Sequence, residues 1–533
     1  MKKIWKSKKW GVLIGFGVLV IALFLRLYNL TILPVFGDEA IYIRWAQVMR
    51  AEPTLRFLPL SDGKQPLFMW SVIPFLKIFS DPLFAGRSVS VISGVGTSVG
   101  IFVLAYLLFR HKKTALFASL IYAVSPFSVF FDRLALSDSM LSMFGVWALV
   151  FAVITVRKIR LDSAMLAGFM LGGAYLTKSP ASIFTFLLPS TLLLSDWGRS
   201  LKKIFFKLSV LVFLFTFTYG IGFALYNILR LGPNFQMIAI RNKDYVYPFS
   251  HIFTSPLDPL LPYLDRIVEY YWILAPSILL FLIIIGIYFG LKTKPKETLI
   301  LLAWSIIPIV AFSEFSKTMT ARYVYFSVPY LFILAGLSTF CFKQELQSVK
   351  LKHFPDVIGI GSHFGLVIKI MIIFFFIHAL FIDSQLLVNP QAANLPRSER
   401  SGYLEEWTSG YGIKEVSEYM REQAKNLPAG RQVIVGTEGY FGTLPDGLQI
   451  YLHDLPAITI IGVGLPIREV PISLIESRRS GNKTYLVVNS TRLSAQPEDL
   501  GLDIIAFYPK AVRPDQSQES LLLFEVSNAG VEK

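Results

Sequence analysis

The chain has 533 residues, of which 54% are hydrophobic and only 16% are charged, and its mean hydropathy is +0.55. A soluble globular protein of this length carries more charge, so the composition excludes that class and favours a multi-pass membrane protein. The single cysteine, Cys341, excludes an intrachain disulfide. The formal net charge of +15 is compatible with nucleic-acid binding, but the placement of the basic residues argues against it.

The apolar residues are grouped in long blocks that predict eleven transmembrane spans. A membrane helix needs about 20 apolar residues. The fifth and sixth blocks are shorter than that and are separated only by Ser179 and Pro180, so a broken or re-entrant pair is the alternative for them. The predicted spans are 10–30, 83–108, 115–131, 138–156, 164–178, 180–195, 204–229, 271–291, 298–313, 323–342 and 363–385.

Basic segments alternate with these spans and predict the orientation of the chain. The first span follows MKKIWKSKKW and has no small-residue cleavage site after it, so we expect a retained helix rather than a signal peptide. With the N-terminus in the cytoplasm, every later basic segment also falls on the cytoplasmic side. The excess positive charge is therefore a topology signal, and no nucleic-acid partner is predicted. The segments are RHKK (110–113), RKIR (157–160), RSLKK (199–203), LKTKPK (291–296) and KQELQSVKLK (343–352).

The same orientation places charged residues from several connections on the outer face. In PVFGDEAIYIRWA (34–46), Asp38 and Glu39 follow the first span. An aspartate here predicts the start of an amphipathic interfacial helix, but a helix start accounts for one carboxylate and not for two. Lys64, in DGKQPLFMW (62–70), is predicted at the membrane boundary, where an ammonium group meets lipid phosphates. The alternative for Lys64 is a solvated loop lysine.

Two further outer turns contain both acidic and basic residues. FDRLALSDSML contains Asp132, Arg133 and Asp138. Helix capping by Ser137 or Asp138 is one interpretation, but charges at membrane depth need partners, which favours a site. Lys178, in YLTKSPAS, ends a span on the outer side against the inside bias of positive charge. The alternative for Lys178 is a side chain that reaches from the helix end to the interface.

The last outer turn, SEFSKTMTARYVYFSVPYL (313–331), contains Glu314, Lys317, Arg322 and Tyr323. Anchoring by Arg and Tyr at the interface is one interpretation, and fork-like recognition of a phosphate by Arg322 is the other. Carboxylates serve as general bases or metal ligands, whereas lysines and arginines suit a phosphate leaving group. An outer face that carries both carboxylates and cations predicts transfer of a group from a lipid-linked phosphate.

Residues 390–533 differ in composition and predict a small soluble domain. Hydrophobic runs shorten to strand length in RQVIVG, AITIIGVG, KTYLVVNS and SLLLFEV, after the helical pattern GIKEVSEYMREQAKN. The loop GTEGYFGTLPDG lacks the G-x-G-x-x-G spacing of a dinucleotide site, so it predicts only a strand-to-helix connection. The predicted fold class is thus an α-helical polytopic membrane domain (1–389, first outer loop 31–82) with an extracytoplasmic α/β domain (390–533).

Short motifs of the outer turns resemble one family. GDEAIY matches its acidic first-loop motif, KQPLFMW its K/H-P-P-L-aromatic stretch, DRLALSDSMLSMF its R-x4-D pattern, and LTKSP and RYVYFSVPYL its LTKGP and R-Y-x5-P segments. Over residues 10–345 the chain resembles the GT-C membrane glycosyltransferases. The similar branch includes the dolichyl-phosphate-mannose protein mannosyltransferases, the aminoarabinose transferase of lipid A and the RgtA/B/C/D-like bacterial enzymes. Gln65 stands where a proline is common, and Gly63 stands where the aminoarabinose enzyme has an acidic residue. The chain has no W-W-D motif, which argues against the oligosaccharyltransferase branch.

The resemblance implies transfer of a sugar from a polyprenyl-phosphate donor to a lipid, glycan or protein acceptor at the outer face of the cytoplasmic membrane. It implies a single displacement that inverts the anomeric centre, and it allows for a divalent metal as cofactor. The alternative is a lipid or sugar transporter or flippase, which needs ionisable residues near mid-span or broken helices in matching halves. The implied site residues are Asp38 and Glu39 as catalytic carboxylates, Lys64, Arg133, Lys178 and Arg322 as donor-phosphate ligands, and Asp138 and Tyr323 as substrate-orienting groups.

Overall fold

The computed structural model of the protein describes residues 2–341 and 360–527, so the predicted basic segment 343–352 lies outside the described residues. The described chain is almost entirely helical as far as residue 388, and it mixes helices and strands after that point. The helices are α1 (Lys2–Leu27), α2 (Gly37–Ala51), α3 (Leu67–Ile78), α4 (Pro82–Phe109), α5 (Lys112–Val124), α6 (Pro126–Phe131), α7 (Asp138–Lys158), α8 (Leu161–Thr177), α9 (Ala181–Leu187), α10 (Leu201–Asn227), α11 (Met237–Tyr245), α12 (His251–Thr254), α13 (Leu260–Leu274), α14 (Ile278–Thr293), α15 (Pro295–Phe315), α16 (Ala321–Val324), α17 (Val328–Gly336), α18 (Ile360–Val388), α19 (Arg397–Arg400), α20 (Ile413–Lys425), α21 (Asp446–Leu452) and α22 (Ile472–Arg479).

Contacts group the chain into two compact units, each assembled from separate stretches. The helical unit comprises Met1–Tyr28, Arg56–Phe68 and Arg87–Leu387. The mixed unit comprises Asn29–Leu55, Met69–Gly86 and Val388–Lys533. The stretch predicted as the first outer loop is therefore divided between the two units, and the part that carries Asp38 belongs with the C-terminal residues.

The protein is a multi-pass membrane protein. By length and composition, six helical segments of the described chain could cross a membrane, or seven if α13 and α14, which are bent by 105° at their junction, form one span. The predicted multi-span helical fold is thus confirmed, while the count of eleven spans stays a prediction. The six segments are Pro82–Phe109, Asp138–Lys158, Leu201–Leu231, Pro295–Phe315, Ala321–Phe340 and Gly365–Val388.

Prolines divide two of the predicted spans into shorter pieces. The predicted span 115–131 consists of α5 and α6, with Pro126 at the first position of α6. Proline lacks the N–H that a continuing helix needs, but it is favoured in a first turn. The predicted span 180–195 likewise consists of α9 and a 3-10 turn with Pro189 near its start. Hydropathy alone does not detect these breaks, because the residues on both sides remain apolar.

A buried ion pair joins the first helix to the turn before α7. Arg26 Nε donates to Asp132 Oδ2 at 2.9 Å, and both side chains are fully buried. The Tyr122 hydroxyl donates to Asp132 Oδ2 at 3.0 Å, and the Tyr325 hydroxyl donates to Oδ1 at 2.8 Å. A buried charge is tolerated only when it is paired and hydrogen-bonded, and this network meets both conditions. It ties the ends of α1 and α5 and the turn 325–327 to the connection that precedes α7.

A five-stranded sheet forms the C-terminal part of the mixed unit, as the predicted α/β domain requires. Its strands are β1 (Val433–Thr437), β2 (Ile458–Gly462), β3 (Lys483–Asn489), β4 (Leu502–Val512) and β5 (Gln518–Val526). The order is β2-β1-β3-β5-β4, with β2, β1 and β3 parallel and the other pairings antiparallel. Four strands and α20 were predicted. β4 was not predicted. It contains the apolar run IIAFY, but Pro509 interrupts the strand, and a proline within a strand is tolerated mainly at the edge of a sheet, where β4 lies.

Breaking the buried ion pair is expected to destabilise the protein. Asp132→Asn leaves the Arg26 charge uncompensated, and removal of one partner from a buried pair destabilises by about 3–5 kcal/mol. We expect a clearly lower thermal unfolding midpoint for the purified protein in detergent. Arg160→Gln is the control, because it removes one partner of an exposed pair with Asp162 and should leave the midpoint unchanged. Equal midpoints for Asp132→Asn and the native protein would refute this role.

Candidate functional site

The two adjacent carboxylates of the acidic motif have different surroundings in the first turn of α2. The helix begins at Gly37 with Phe36 at the cap position, so the expected capping role of Asp38 is wrong. Instead, Glu39 reaches back, and its Oε2 accepts the N–H of Phe36 at 3.0 Å. Glu39 is fully buried, whereas Asp38 is half-buried. The geometry therefore assigns the helix start to Glu39 and leaves Asp38 the more accessible carboxylate.

Gly63, which replaces an acidic residue of the similar enzymes, occupies a position that has no room for a side chain. Its φ is +69°, in the left-handed region that favours glycine. A Cβ at this position would lie 2.7 Å from the carbonyl oxygen of Met237, so α11 packs directly on the Gly63 backbone. The local fold of this chain therefore requires a glycine at position 63, and a carboxylate side chain would not fit there.

Lys64 and Gln65 follow this turn in the helical unit. Lys64 is half-buried, and its ammonium nitrogen lies 5.1 Å from the centre of the Tyr245 ring. Gln65 is buried, and its Nε2 donates to Ser179 Oγ at 2.8 Å. Ser179 directly follows Lys178 in the chain, so this hydrogen bond joins the K-Q-P-L and T-K-S-P motifs side by side. The role of the unusual glutamine is therefore structural.

Four of the predicted site residues form one cluster in the helical unit, called the Tyr323 cluster (Asp138, Lys178, Arg322 and Tyr323). Lys178 Nζ donates to Asp138 Oδ1 at 2.6 Å and lies 5.3 Å from the centre of the Tyr323 ring. The Arg322 guanidinium carbon lies 5.5 Å from the centre of the same ring. Two cations thus share one aromatic ring while one carboxylate neutralises part of their charge.

Arg133 contacts the end of α1. It is buried, and its Nη1 donates to the carbonyl oxygens of Leu25 and Arg26 at 3.0 Å each and of Tyr28 at 2.6 Å. The last carbonyls of a helix have no partner within the helix, and a cationic side chain satisfies them well. These contacts serve the fold, and phosphate binding by Arg133 stays a prediction.

A second cation, Arg241, lies beside Lys64 and was not predicted from the sequence. Arg241 Nη2 pairs with Asp62 Oδ1 at 2.9 Å, and its guanidinium carbon lies 5.9 Å from the centre of the Tyr245 ring. Two cationic side chains therefore lie near the Tyr245 ring, as they do near the Tyr323 ring. The only signal in the sequence is the spacing of four residues between Arg241 and Tyr245 on α11, which places both on one helix face.

Metal ligands are not clustered in the part of the chain that the structure describes. Between residues 2 and 341 and between 360 and 527, no three His, Cys, Asp or Glu side chains are grouped so as to hold an ion. The tight packing at Gly63 also leaves no room for the acidic side chain of the similar enzymes.

The effect of the close packing at Gly63 on stability can be measured separately from the effect of its backbone conformation. Gly63→Ala and Gly198→Ala both place an alanine at φ +69°, but only the first meets a neighbouring backbone, since nothing lies within 4 Å of a Cβ at Gly198. Left-handed strain costs about 1–2 kcal/mol at each site. We expect the thermal unfolding midpoint of Gly63→Ala to fall well below that of Gly198→Ala. Equal midpoints would show that α11 does not constrain this turn.

Comparisons with known proteins identify the same family as the motifs. Residues 63–220, which include Lys64, Arg133, Asp138 and Lys178, match the family model for dolichyl-phosphate-mannose-protein mannosyltransferase. ArnT from Cupriavidus metallidurans, solved in the apo state and bound to undecaprenyl phosphate, has a similar fold. It is 15% identical, with a TM-score of 0.57 over 98% of this chain and 99% of that chain. No curated protein sequence matches the chain.

A second similar structure is the archaeal oligosaccharyltransferase AglB from Archaeoglobus fulgidus, in complex with an inhibitory peptide and a dolichol-phosphate. It is 13% identical, with a TM-score of 0.50 over 98% of this chain and 75% of that chain. At such identities the two structures establish a shared fold, while the family model identifies the enzyme class and favours it over the transporter alternative. The chain is a membrane glycosyltransferase with the GT-C fold, and its residues 63–220 match the family model for dolichyl-phosphate-mannose-protein mannosyltransferase.

Proposed function

We propose that the protein transfers a sugar from a polyprenyl-phosphate donor to an acceptor on the outer face of the cytoplasmic membrane. The observation that carries this proposal is the Tyr323 cluster, in which Lys178 and Arg322 lie within 6 Å of one ring centre. Ammonium and guanidinium groups are the strongest side-chain donors to phosphate oxygens. The polyprenyl phosphates bound to ArnT and AglB support this class of donor.

The position of α7 supports an outer location for the cluster. This helix of 21 residues is one of the segments that could cross a membrane, and it is about 32 Å long. It begins at Asp138, the partner of Lys178, and it ends in the basic segment 157–160. The positive-inside rule favours a cytoplasmic location for the basic end and therefore an outer location for Asp138 and Lys178. In this orientation residues 390–533 form an extracytoplasmic domain, attached to the transmembrane domain 1–389.

The proposed reaction is a single displacement at the anomeric carbon of the donor sugar. The acceptor hydroxyl oxygen forms a bond to this carbon while the bond from the carbon to the phosphate oxygen breaks. The electron pair leaves with the polyprenyl phosphate, and the proton of the hydroxyl moves to the Asp38 carboxylate. One displacement inverts the configuration. Charge grows on the departing phosphate, so fixed cations stabilise the transition state more than the ground state.

The other predicted residues take supporting roles in this proposal. Glu39 holds the first turn of α2 and thereby positions Asp38. Asp138 holds the ammonium group of Lys178, and Tyr323 carries the two cations on its ring. Lys64 and Arg133 complete the proposed set of phosphate ligands.

Replacement of the proposed base should abolish transfer without preventing donor binding. Asp38→Asn keeps the size of the side chain but cannot accept the proton, and general-base catalysis contributes about 10²–10⁴-fold. We expect a fall of this order in transfer from a polyprenyl-phosphate sugar, measured with purified protein, while the donor affinity is retained. Glu52→Gln, at the exposed end of the same helix, is the control and should retain activity. Full activity of a folded Asp38→Asn protein would exclude Asp38 as the base.

Neutral substitutions in the Tyr323 cluster should weaken the interaction with the phosphate. A hydrogen bond to a charged group contributes about 1.5–3 kcal/mol, so Lys178→Gln and Arg322→Gln should each lower kcat/KM for the donor by roughly ten- to a hundredfold. The matched control is Lys317→Gln, which removes an exposed ammonium that lies 5.7 Å from the centre of the Tyr247 ring. If kcat/KM for the donor fell equally in the control, the effect would reflect net charge rather than the cluster.

A further inference from the structure

Three aromatic side chains of the mixed unit are exposed next to one another, and they are called the aromatic surface (Trp407, Tyr440 and Phe441). Their exposed fractions are 38%, 75% and 47%. Trp407 and the loop that bears Tyr440 and Phe441 adjoin at Gly442, where a Cβ would lie 4.0 Å from Cζ3 of Trp407. An exposed group of large apolar side chains usually marks a binding surface. Neither the transfer chemistry nor the sheet core uses these rings.

The loop that bears Tyr440 is held in place by close backbone contacts. Gly439 N–H donates to the Gly464 carbonyl at 2.8 Å. A Cβ at Gly462 would lie 2.9 Å from Cδ1 of Tyr440, so the tyrosine ring packs directly on the backbone at the end of β2. Tyr440 is thus the most exposed ring of the surface and is also ordered by its neighbours. A preorganised ring loses less conformational entropy when a ligand binds.

The base of this loop lies where parallel sheets usually form ligand sites. Glu438 follows β1, and its two carboxylate oxygens accept the N–H and the Nδ2 of Asn489, at the end of β3, at 2.6 and 2.7 Å. The buried Lys510 donates to Asn489 Oδ1 at 2.5 Å. Burial raises the pKa of the Glu438 carboxyl and lowers the pKa of the Lys510 ammonium to about 8. The chain continues from β1 to β2 on one side and from β3 toward β4 on the other, and ligands bind at such a switch point, beyond the carboxyl ends of the strands.

The aromatic surface adjoins the helix that carries Asp38, within the same compact unit. The carbonyl oxygen of Thr408, the residue after Trp407, accepts the N–H of Gly37 at 3.1 Å. Farther along α2, the ring of Trp45 lies 5.7 Å from the ring of Phe441, centre to centre. The surface therefore runs beside α2 from its first turn, and a molecule bound there would lie next to Asp38.

We propose that the aromatic surface binds the saccharide part of the acceptor, so that the protein glycosylates a glycan. This proposal rests on the proposed transferase function and specifies its acceptor. The faces of a sugar ring carry apolar C–H groups that stack on aromatic rings, and its edges carry hydroxyls that need polar partners. The Arg492 guanidinium, 4.5 Å from the centre of the Trp407 ring, supplies such donors. This alternation of apolar faces and donors suits a saccharide better than an acyl chain.

The test uses the full-length protein in lipid nanodiscs with fluorescently labelled oligosaccharides released from the cell envelope of the source organism. We expect Trp407→Ala and Tyr440→Ala each to weaken oligosaccharide binding and to raise the acceptor KM by about tenfold, since each removes an aromatic ring on which a sugar face would stack. Binding of undecaprenyl phosphate should be unchanged. Phe507→Ala is the matched control, because this aromatic residue of the mixed unit is 64% exposed on β4 and away from the loop.

The possible results separate this proposal from the transferase function on which it rests. Unchanged oligosaccharide binding in both variants would overturn the proposal, as would a loss that Phe507→Ala shares. Variants that instead lose binding to envelope peptides, or to vesicles of phosphatidylglycerol and phosphatidylethanolamine, would also overturn it, in favour of a peptide or membrane surface. In any of these cases, transfer that still depends on Asp38 would leave the transferase function intact. Oligosaccharide binding that persists in Asp38→Asn would support the separate role of the surface.

Discussion

The buried pair of Arg26 and Asp132 is the constraint on which the helical unit depends. Two charges without access to water are stable only in contact with each other and with hydrogen-bond partners, so the pair fixes the distance between α1 and the turn before α7. Arg133 and Asp138 follow Asp132 in the chain and contact defined partners. Arg133 reaches the last carbonyls of α1, and Asp138 reaches Lys178. The cation cluster thus rests on an ion pair that takes no part in the chemistry.

Charged residues of the predicted outer turns make different kinds of contact. Glu39 and Arg133 satisfy helix ends, and Lys178 pairs with Asp138, the first residue of α7. Lys178 and Arg322 both lie beside the Tyr323 ring, whose face attracts cations. These contacts support the proposed role of both cations as phosphate ligands.

The mixed unit combines parts of the chain that are far apart in sequence. Gln47 of α2 donates from Nε2 to the carbonyl oxygen of Ile450 at 2.8 Å, and Arg44 Nε donates to Gln449 Oε1 at 3.1 Å. These bonds attach the helix that carries Asp38 to α21 of the C-terminal part. The proposed base and the proposed acceptor surface consequently belong to one compact body, so the C-terminal residues help to position α2.

The sequence by itself determined the membrane class, the order of the family motifs, the tail domain and four of its five strands, because hydropathy, local periodicity and short motifs are properties of neighbouring residues. Only the tertiary structure decided which charges meet. The family resemblance implied only that Asp138 orients the substrate, whereas the fold shows that Asp138 pairs with Lys178 at the end of α8. It also decided that Glu39 caps α2 and that Gly63 has no room for a side chain. Such contacts depend on how separate elements pack, and a pattern along the chain carries no distance between them.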